Sequence, residues 1–148
     1  MISLDTNILI YSVDRAAGDR HETAANLVER SVRAQNCVQP LQSLCEFFNV
    51  ATRKIGLDAA AAAEVVARWE AAVPVEPASG DDLRNAIRAV REHGLSFWDA
   101  LLWATVRRVG VDLLLSEDLQ DRRTIEGVRI LNPFAVRNAR LIETAIAR

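Results

Sequence analysis

Short apolar runs alternate along the chain with longer segments in which apolar residues recur at helical spacing. The runs have the length of buried strands, and the periodic segments have the length of the crossover helices that parallel strands need. This alternation predicts an α/β fold in which helices cover both faces of a mainly parallel sheet. The predicted strands are residues 2–4, 37–39, 73–75, 113–115 and 128–131.

Glycines and capping residues mark the ends of the predicted helices. Gly56 ends one helix, and Asp58 caps the next, which contains the alanine run AAAAAE. We find no repeat, linker or change in composition, so we expect residues 1–148 to form a single domain. The predicted helices are a short one after the first strand, then 20–34, 41–55, 58–72, one from Ser79 or Asp81 to about 93, one from Ser96 to about 109, and 134–146.

The composition is that of a globular protein. Of 148 residues, 50% are hydrophobic and 26% are charged, which excludes a disordered tail and a disulfide scaffold. No apolar stretch approaches the ~20 residues that a membrane helix needs, and the start MISLDTNILIYS has no basic leader. We therefore expect a cytoplasmic protein without a membrane segment, and we interpret Cys37 and Cys45 as buried core thiols.

The charge balance limits how the chain could bind nucleic acid. The formal net charge is −2, and Lys54 is the one lysine among the 18 basic residues. Such a chain has no overall attraction for a polyanion. Contact with nucleic acid would need local arginines or bound cations.

Four acidic residues interrupt apolar segments. Asp5 and Asp118 follow predicted strands, and parallel strands bring their carboxyl ends to one edge of a sheet, where open α/β folds place their sites. Glu46 in LCEFFNVA and Asp99 in FWDALLWATV lie on helices whose side chains can reach the same edge. Clustered carboxylates repel one another, and hard divalent cations, which prefer oxygen ligands, relieve that repulsion.

Each acid also has a structural interpretation. Asp99 is three residues after Ser96 and could take part in a capping box, and Asp5 could cap the helix that follows it. Asp118 could be an ordinary turn residue, and Glu46 could lie at the edge of a helix face. These roles are compatible with metal binding, because a capping carboxylate keeps one oxygen free.

Polar neighbours support the hypothesis of a metal site. Thr6, Asn7 and Ser116 lie beside the strand ends, where a hydroxyl or amide can hold a carboxylate or a metal-bound water. A turn-and-cap role for Thr6 and Asn7 is the alternative. Strand alternation predicts that Glu117 points to solvent, and the remaining acids, Asp82 among them, fit solvated helix faces.

Once other catalytic motifs are excluded, the acidic residues point to hydrolysis of a phosphodiester. His21 and His93 fall on amphipathic helices, in surface or capping positions, which argues against an imidazole-based nuclease. The chain has no GxSxG, GxxxxGK[ST] or GxGxxG motif. A water activated by Mg²⁺ or Mn²⁺ is the mechanism that an acidic cluster supports. Candidate phosphate contacts, each with a solvated face as the alternative, are Arg15, Arg20, Arg53, Lys54, Arg122 and Arg123.

The four acids in their sequence frames resemble the PIN domain, and more narrowly the VapC-type toxins of toxin–antitoxin pairs. The frames are DTN at 5–7, CEFFNVATRK, SFWDALLWATV and LLLSEDLQD, and the match runs from residue 1 to about 134. The resemblance implies a three-layer α/β/α domain that cleaves RNA as an Mg²⁺- or Mn²⁺-dependent endoribonuclease. It assigns catalysis and metal binding to Asp5, Glu46, Asp99 and Asp118, with Thr6 as a supporting hydroxyl. It also implies a homodimer and a small antitoxin partner.

Two other functions fit parts of the pattern. A phosphoacceptor receiver domain also gathers acids at strand ends, but it needs a lysine at a later strand end, whereas Lys54 lies at a predicted helix end. An inactive PIN-like scaffold that binds a partner is the second alternative. Binding of Mn²⁺ separates the nuclease from the scaffold.

Overall fold

A computed structural model describes residues 1–147 of the chain. Short 3₁₀ turns lie at Arg15–Ala17 and Val136–Asn138. The strands are β1 (Ile2–Leu4), β2 (Gln39–Pro40), β3 (Val75–Glu76), β4 (Leu113–Leu115), β5 (Thr124–Ile125) and β6 (Val128–Leu131). The α-helices are α1 (Thr6–Val13), α2 (Asp19–Arg33), α3 (Leu41–Val50), α4 (Ala59–Ala72), α5 (Gly80–His93), α6 (Phe97–Arg108) and α7 (Ala139–Ile146).

The central sheet has the strand order β1-β4-β6-β5. Strands β1, β4 and β6 are parallel, and their register places Leu4 beside Leu115 and Leu115 beside Leu131. The short strand β5 pairs antiparallel with β6. Strands β2 and β3 form a separate parallel pair, linked to β1 by a bridge between Ile2 and Cys37. The predicted mainly parallel sheet is therefore confirmed.

Side chains that alternate along the strands supply two separate cores. Leu4, Leu115 and Leu131 pack in a core with residues of α1, α2, α3, α4 and α7. Leu114 and Ile130 pack in the other core with residues of α5 and α6. Because helices cover both faces of a sheet of short apolar strands, the fold is the predicted three-layer α/β/α arrangement. None of the helices within residues 1–147 combines the length and the apolar character needed to cross a bilayer.

Several predicted boundaries were wrong. The predicted helix 41–55 is α-helical only to Val50, and a π-helical turn over Ala51–Ile55 continues it to Gly56, whose φ of 73° ends it. The second and third strands begin two residues later than predicted. Strand β5 was missed because it is two residues long, and a turn at Glu126 and Gly127 joins it to β6. Within the predicted helix 134–146, Val136–Asn138 form a 3₁₀ turn, and the α-helix begins only at Ala139.

Two predictions about burial were also wrong. Cys37 is buried as predicted, but Cys45 is exposed. Asp82 is 1% exposed rather than solvated. It forms a capping box with Ser79 at the start of α5 and an ion pair with Arg108 of α6, at 2.9 Å. The residue is buried because its carboxylate is satisfied on both sides.

Candidate active site

Asp5 lies where β1 ends and α1 begins. Its backbone N–H donates to Leu115 O of the neighbouring strand, at 2.9 Å, which fixes it at the carboxyl edge of the sheet. Its side chain caps α1 by accepting from the Thr6 N–H at 2.7 Å. The other carboxylate oxygen accepts from the Ser116 hydroxyl at 2.6 Å. Asp5 is therefore both the predicted cap and a carboxylate tied to the end of β4.

Ser116 organises the loop after β4. Its hydroxyl donates to Asp5 and accepts from the backbone N–H groups of Asp118 and Leu119, at 3.2 and 3.3 Å. The Asp118 carboxylate is exposed, and it accepts from the side-chain amide of Asn7 at 3.1 Å. The predicted supporting residues Asn7 and Ser116 thus contact the two acids at the strand ends.

Glu46 reaches the same edge from α3. Its two oxygens accept from the Thr6 hydroxyl and from the side-chain amide of Gln42, both at 2.8 Å. The Gln42 amide also donates to the backbone oxygen of Trp98, at 3.0 Å, and so connects α3 to the first turn of α6. Sequence reasoning missed Gln42, although its position four residues before Glu46 on one helix face was an available signal.

Asp99 lies in the first turn of α6. Its backbone N–H donates to the Ser96 hydroxyl at 3.3 Å, and that hydroxyl donates to the Asp99 carboxylate at 2.6 Å. The predicted capping contact is therefore present. One carboxylate oxygen stays available, and the side chain is only half-buried.

Electrostatics link Asp5 to two of the other acids. Burial raises the pKa of Asp5 from 3.8 to about 6, although the hydrogen bonds from Ser116 and Thr6 act in the opposite direction. The charges of Asp99 and Asp118 contribute to this rise of the pKa. Ionised Asp5 is consequently a carboxylate whose negative charge its own surroundings disfavour.

No cation within residues 1–147 forms a salt bridge with any of the four acids. The salt bridges of that part of the chain lie elsewhere. The hydrogen-bond donors to the four carboxylates are neutral hydroxyl, amide and backbone N–H groups. Donors of this kind orient a carboxylate without cancelling its charge, so the site keeps a negative potential.

Within residues 1–147, no three of the four candidate carboxylates have ligand atoms within 4.8 Å of one another. Among residues 1–147, one group of acidic or histidine side chains has all its ligand atoms within 4.8 Å of one another, and that group is Glu92, His93 and Glu126. Arginines already occupy it: Glu126 forms ion pairs with Arg88 at 2.6 Å and with Arg107 at 2.9 Å. We therefore interpret that group as an ion-pair network.

Two orphaned oxygens test whether the edge of the sheet suits a metal. Asn7 Oδ1 and Gln42 Oε1 are buried and have no hydrogen-bond partner within the described residues. Each belongs to an amide whose nitrogen holds one of the acids, Asp118 or Glu46. An unpaired buried oxygen is unfavourable, and a water bound to a cation held at this edge would be a donor for it. The donor set is all oxygen, which suits Mg²⁺ or Mn²⁺.

Glu117 does not point to solvent, and that prediction was wrong. Its carboxylate accepts from the Tyr11 hydroxyl at 2.6 Å and forms an ion pair with Arg20. The Arg20 guanidinium lies over the rings of Tyr11 and Phe134, at 5.3 and 5.1 Å. Arg20, which we considered as a phosphate contact, therefore anchors the loop that carries Asp118.

The other candidate cations divide into two groups. Arg15, Arg53 and Lys54 are exposed, and their contact with substrate stays a prediction. Arg122 donates to Asn138 Oδ1 at 2.9 Å, and Arg123 donates to His93 O at 2.8 Å. These two guanidinium groups hold the loops that follow β4 and α5, which leaves them less free to bind a phosphate.

The sequence matches the family model of the PIN domain over residues 2–125, so the chain belongs to the PIN domain family. It is similar to the Mycobacterium tuberculosis toxin VapC20, described as a sarcin–ricin loop cleaving toxin, at 25% identity and a TM-score of 0.64. That match covers 77% of this chain and 87% of VapC20.

Two further structures share the fold. DNA-bound VapBC from Salmonella typhimurium is 16% identical with a TM-score of 0.64, and the match covers 89% of this chain and 97% of that one. A toxin–antitoxin complex from Klebsiella pneumoniae is 19% identical with a TM-score of 0.61, over 92% of this chain and 100% of that one. No curated protein shows significant similarity to the sequence.

Proposed function

We propose that this chain is a Mg²⁺- or Mn²⁺-dependent endoribonuclease and the toxin of a toxin–antitoxin pair. The observation that carries the proposal is the buried Asp5 carboxylate, whose pKa is raised to about 6 by burial and by two neighbouring acids. No salt bridge within residues 1–147 compensates it. Membership of the PIN domain family and the likeness to a toxin that cleaves the sarcin–ricin loop support RNA as the substrate.

Asp5, Glu46, Asp99 and Asp118 would hold the cation. When bound, a divalent cation supplies an activated water and offsets the charge that develops on the phosphate. The protein residues supply position: Ser116 and the Thr6 N–H fix Asp5, the Thr6 hydroxyl and Gln42 orient Glu46, and Asn7 holds Asp118. Ordered ligands of this kind lower the reorganisation that the reaction would otherwise require.

We further propose that residues 1–148 form one PIN domain that acts in the cytoplasm as a homodimer. The antitoxin partner is supported by the structural neighbours, several of which are toxin–antitoxin complexes. Exposed apolar side chains, including Leu83 at 44% and Ile87 at 50%, offer surface for protein contacts. The alternative function is an inactive scaffold that binds a partner through the same fold.

Cleavage of single-stranded RNA tests the proposed function. The parent chain should cut RNA with Mn²⁺ or Mg²⁺ and should not cut it in EDTA. Asp5→Asn should abolish cleavage while the fold persists, because the substitution removes a metal ligand and a repulsive charge together. The matched control, Asp81→Asn, changes an exposed aspartate of α5 and should keep full activity. If Asp5→Asn cuts RNA as fast as the parent, the role given to Asp5 is wrong.

A further inference from the structure

The most exposed aromatic side chain of the described residues is Trp98. It is 61% exposed, whereas Trp69 and Trp103 are 5% and 0% exposed. Its ring contacts Phe97 edge-on, at a centroid distance of 5.2 Å and an angle of 69°. A single exposed aromatic side chain is common on a protein surface, so the position of Trp98 beside the candidate active site matters more than its exposure.

Trp98 is directly connected to the candidate active site. It precedes Asp99 in α6, and its backbone oxygen accepts from the side-chain amide of Gln42 at 3.0 Å. The same amide donates to Glu46 at 2.8 Å. One hydrogen-bonded group therefore fixes both the backbone that carries the indole and a carboxylate of the proposed metal site.

A groove of about 570 Å³ lies between the indole and that carboxylate. A volume of this size is within the range of small-ligand pockets. The Gln42 amide lines one side of the groove, and its nitrogen donates to Glu46 and to Trp98 O. The groove thus offers one aromatic surface and amide groups along its side. Its lining residues are Gln42, Cys45, Glu46, Asn49, Val50 and Trp98.

We propose that Trp98 is a stacking platform for one base of the RNA substrate, next to the phosphate that is cut. The inference rests on the proposed function, because it places the substrate strand across the four acids. Unpaired bases of single-stranded RNA stack on aromatic side chains and offer their edges for hydrogen bonding. The indole supplies the stacking surface, and the exposed side chain of Asn49 lines the same groove, where it can meet the edge of the base.

The chemistry of the groove favours a base over a protein side chain as the occupant. Glu46 belongs both to the groove and to the proposed catalytic set, so any substrate held at the metal passes beside Trp98. An apolar side chain from another protein would cover the indole but would offer no partner to the polar side chains of Glu46 and Asn49 in the same groove. A base stacks on the indole and presents polar edges to these side chains.

Kinetics on a short single-stranded RNA test this role. Trp98→Ala should raise KM between about tenfold and a hundredfold, with kcat within about threefold, since stacking of a base contributes to binding. Trp98→Phe should restore most of the loss because it keeps an aromatic face. The matched control, Phe48→Ala, removes another exposed aromatic that lies outside this groove and should leave KM unchanged. Equal KM values for Trp98→Ala and an active parent would overturn the inference.

Fluorescence supplies a second measurement that does not depend on cleavage. Of the three tryptophans, Trp98 is the exposed one. Iodide should therefore quench mainly the fluorescence of Trp98. In an Asp5→Asn background, bound RNA should lower that emission and protect it from iodide, and both effects should vanish in Asp5→Asn/Trp98→Ala. RNA that binds without either change would contradict stacking.

Light scattering distinguishes a protein contact at Trp98 from an RNA contact. We expect Trp98→Ala to keep the molar mass of the parent. A lower mass together with lost activity would show that another subunit covers the indole, and the inference would fail. A parent that cuts no RNA with either metal would refute the proposed function, while the fluorescence of an RNA complex would still decide whether Trp98 stacks.

Discussion

At the scale of single residues, Asp5 is the most informative of the four proposed metal ligands. It is 7% exposed, its hydrogen bonds come from Thr6 and Ser116, and both Asp99 and Asp118 raise its pKa. A carboxylate at pKa about 6 is ionised at neutral pH but at a cost to the folded state. Residues 1–147 supply no salt bridge to compensate this charge, which supports the proposal that a cation does so.

This raised pKa predicts the sign of a pH effect on stability. The protonated carboxyl is favoured in the folded chain, so the contribution of Asp5 is greatest below pH 3.8 and is lost as the pH rises through about 6. The difference between 3.8 and about 6 corresponds to roughly 3 kcal/mol of unfolding free energy at neutral pH. Asp5→Asn should therefore be more stable than the parent at pH 7.5 in EDTA, with a smaller gain at pH 5.

Urea unfolding at the two pH values measures this effect, and only the difference between variant and parent is compared. Added Mn²⁺ should stabilise the parent at pH 7.5 and leave Asp5→Asn almost unchanged. An Asp5→Asn protein that is less stable than the parent at both pH values would show that the Asp5 charge is already compensated.

A second prediction concerns the hydroxyl that holds Glu46. Thr6→Val keeps the shape of the side chain but removes the donor at 2.8 Å from Glu46, so the carboxylate loses its orientation. We expect a loss of about tenfold to a hundredfold in cleavage rate or Mn²⁺ affinity, the usual effect of losing such a contact. Thr6→Ser restores the hydroxyl and should recover most of the activity. Equal loss in both variants would indicate a packing defect.

At the scale of elements, caps and strand ends bring the site together. The first turn of α1 begins at Asp5, and that of α6 is capped by Ser96 and contains Asp99, so two candidate ligands are placed by local backbone geometry. Such contacts span a few residues, which is why the sequence could predict them. The prediction that Glu117 points to solvent was wrong because the alternation of side chains ends with β4. The loop that follows turns the Glu117 side chain towards Tyr11 and Arg20.

Asp82 allows a prediction at this scale about stability alone. Burial raises its pKa, but hydrogen bonds from Ser79 and Arg108 outweigh that effect and lower the pKa overall. The stability that it contributes is therefore present above pH 3.8 and is lost as the pH falls below that value. Asp82→Ala removes a capping box and one partner of an ion pair, and should destabilise the fold by about 2 kcal/mol at pH 7.

Urea unfolding checks this value against Asp81→Ala. Asp81 is the exposed neighbour, paired with Arg84 on the helix surface, and its loss should change stability by less than about 0.5 kcal/mol. Similar values for the two variants would mean that the capping box and the Arg108 contact add nothing beyond a surface ion pair.

At the scale of the whole molecule, the order of strands and helices could be predicted because each leaves a repeating pattern in the sequence. Buried runs such as Leu113–Leu115 and helices ended by glycine were located within a few residues. The pairs Arg108–Asp82 and Arg20–Glu117 could not be predicted, because their partners are 26 and 97 residues apart and no local pattern joins them. The two-residue strands β2, β3 and β5 are too short to show a period.

The candidate site was predictable as a set of residues but not as a geometry. Four acids in apolar segments and three polar neighbours could be named from the sequence, and in the structure those neighbours donate hydrogen bonds to three of the acids, Asp5, Glu46 and Asp118. The distances between the acids depend on how α3 and α6 approach each other, which no single segment encodes. The same packing sets the contacts of the Gln42 amide with Glu46 and with the backbone of Trp98.

Calorimetric titration with Mn²⁺ at pH 7.5 shows whether the four acids bind a metal, because it measures binding of the cation itself rather than a later step. The parent should bind Mn²⁺ with an affinity that falls at least tenfold in Asp5→Asn and in Asp118→Asn, and remains unchanged in Asp81→Asn. Binding that is absent from the parent, or equally strong in all four proteins, would show that these carboxylates are not the ligands of a metal.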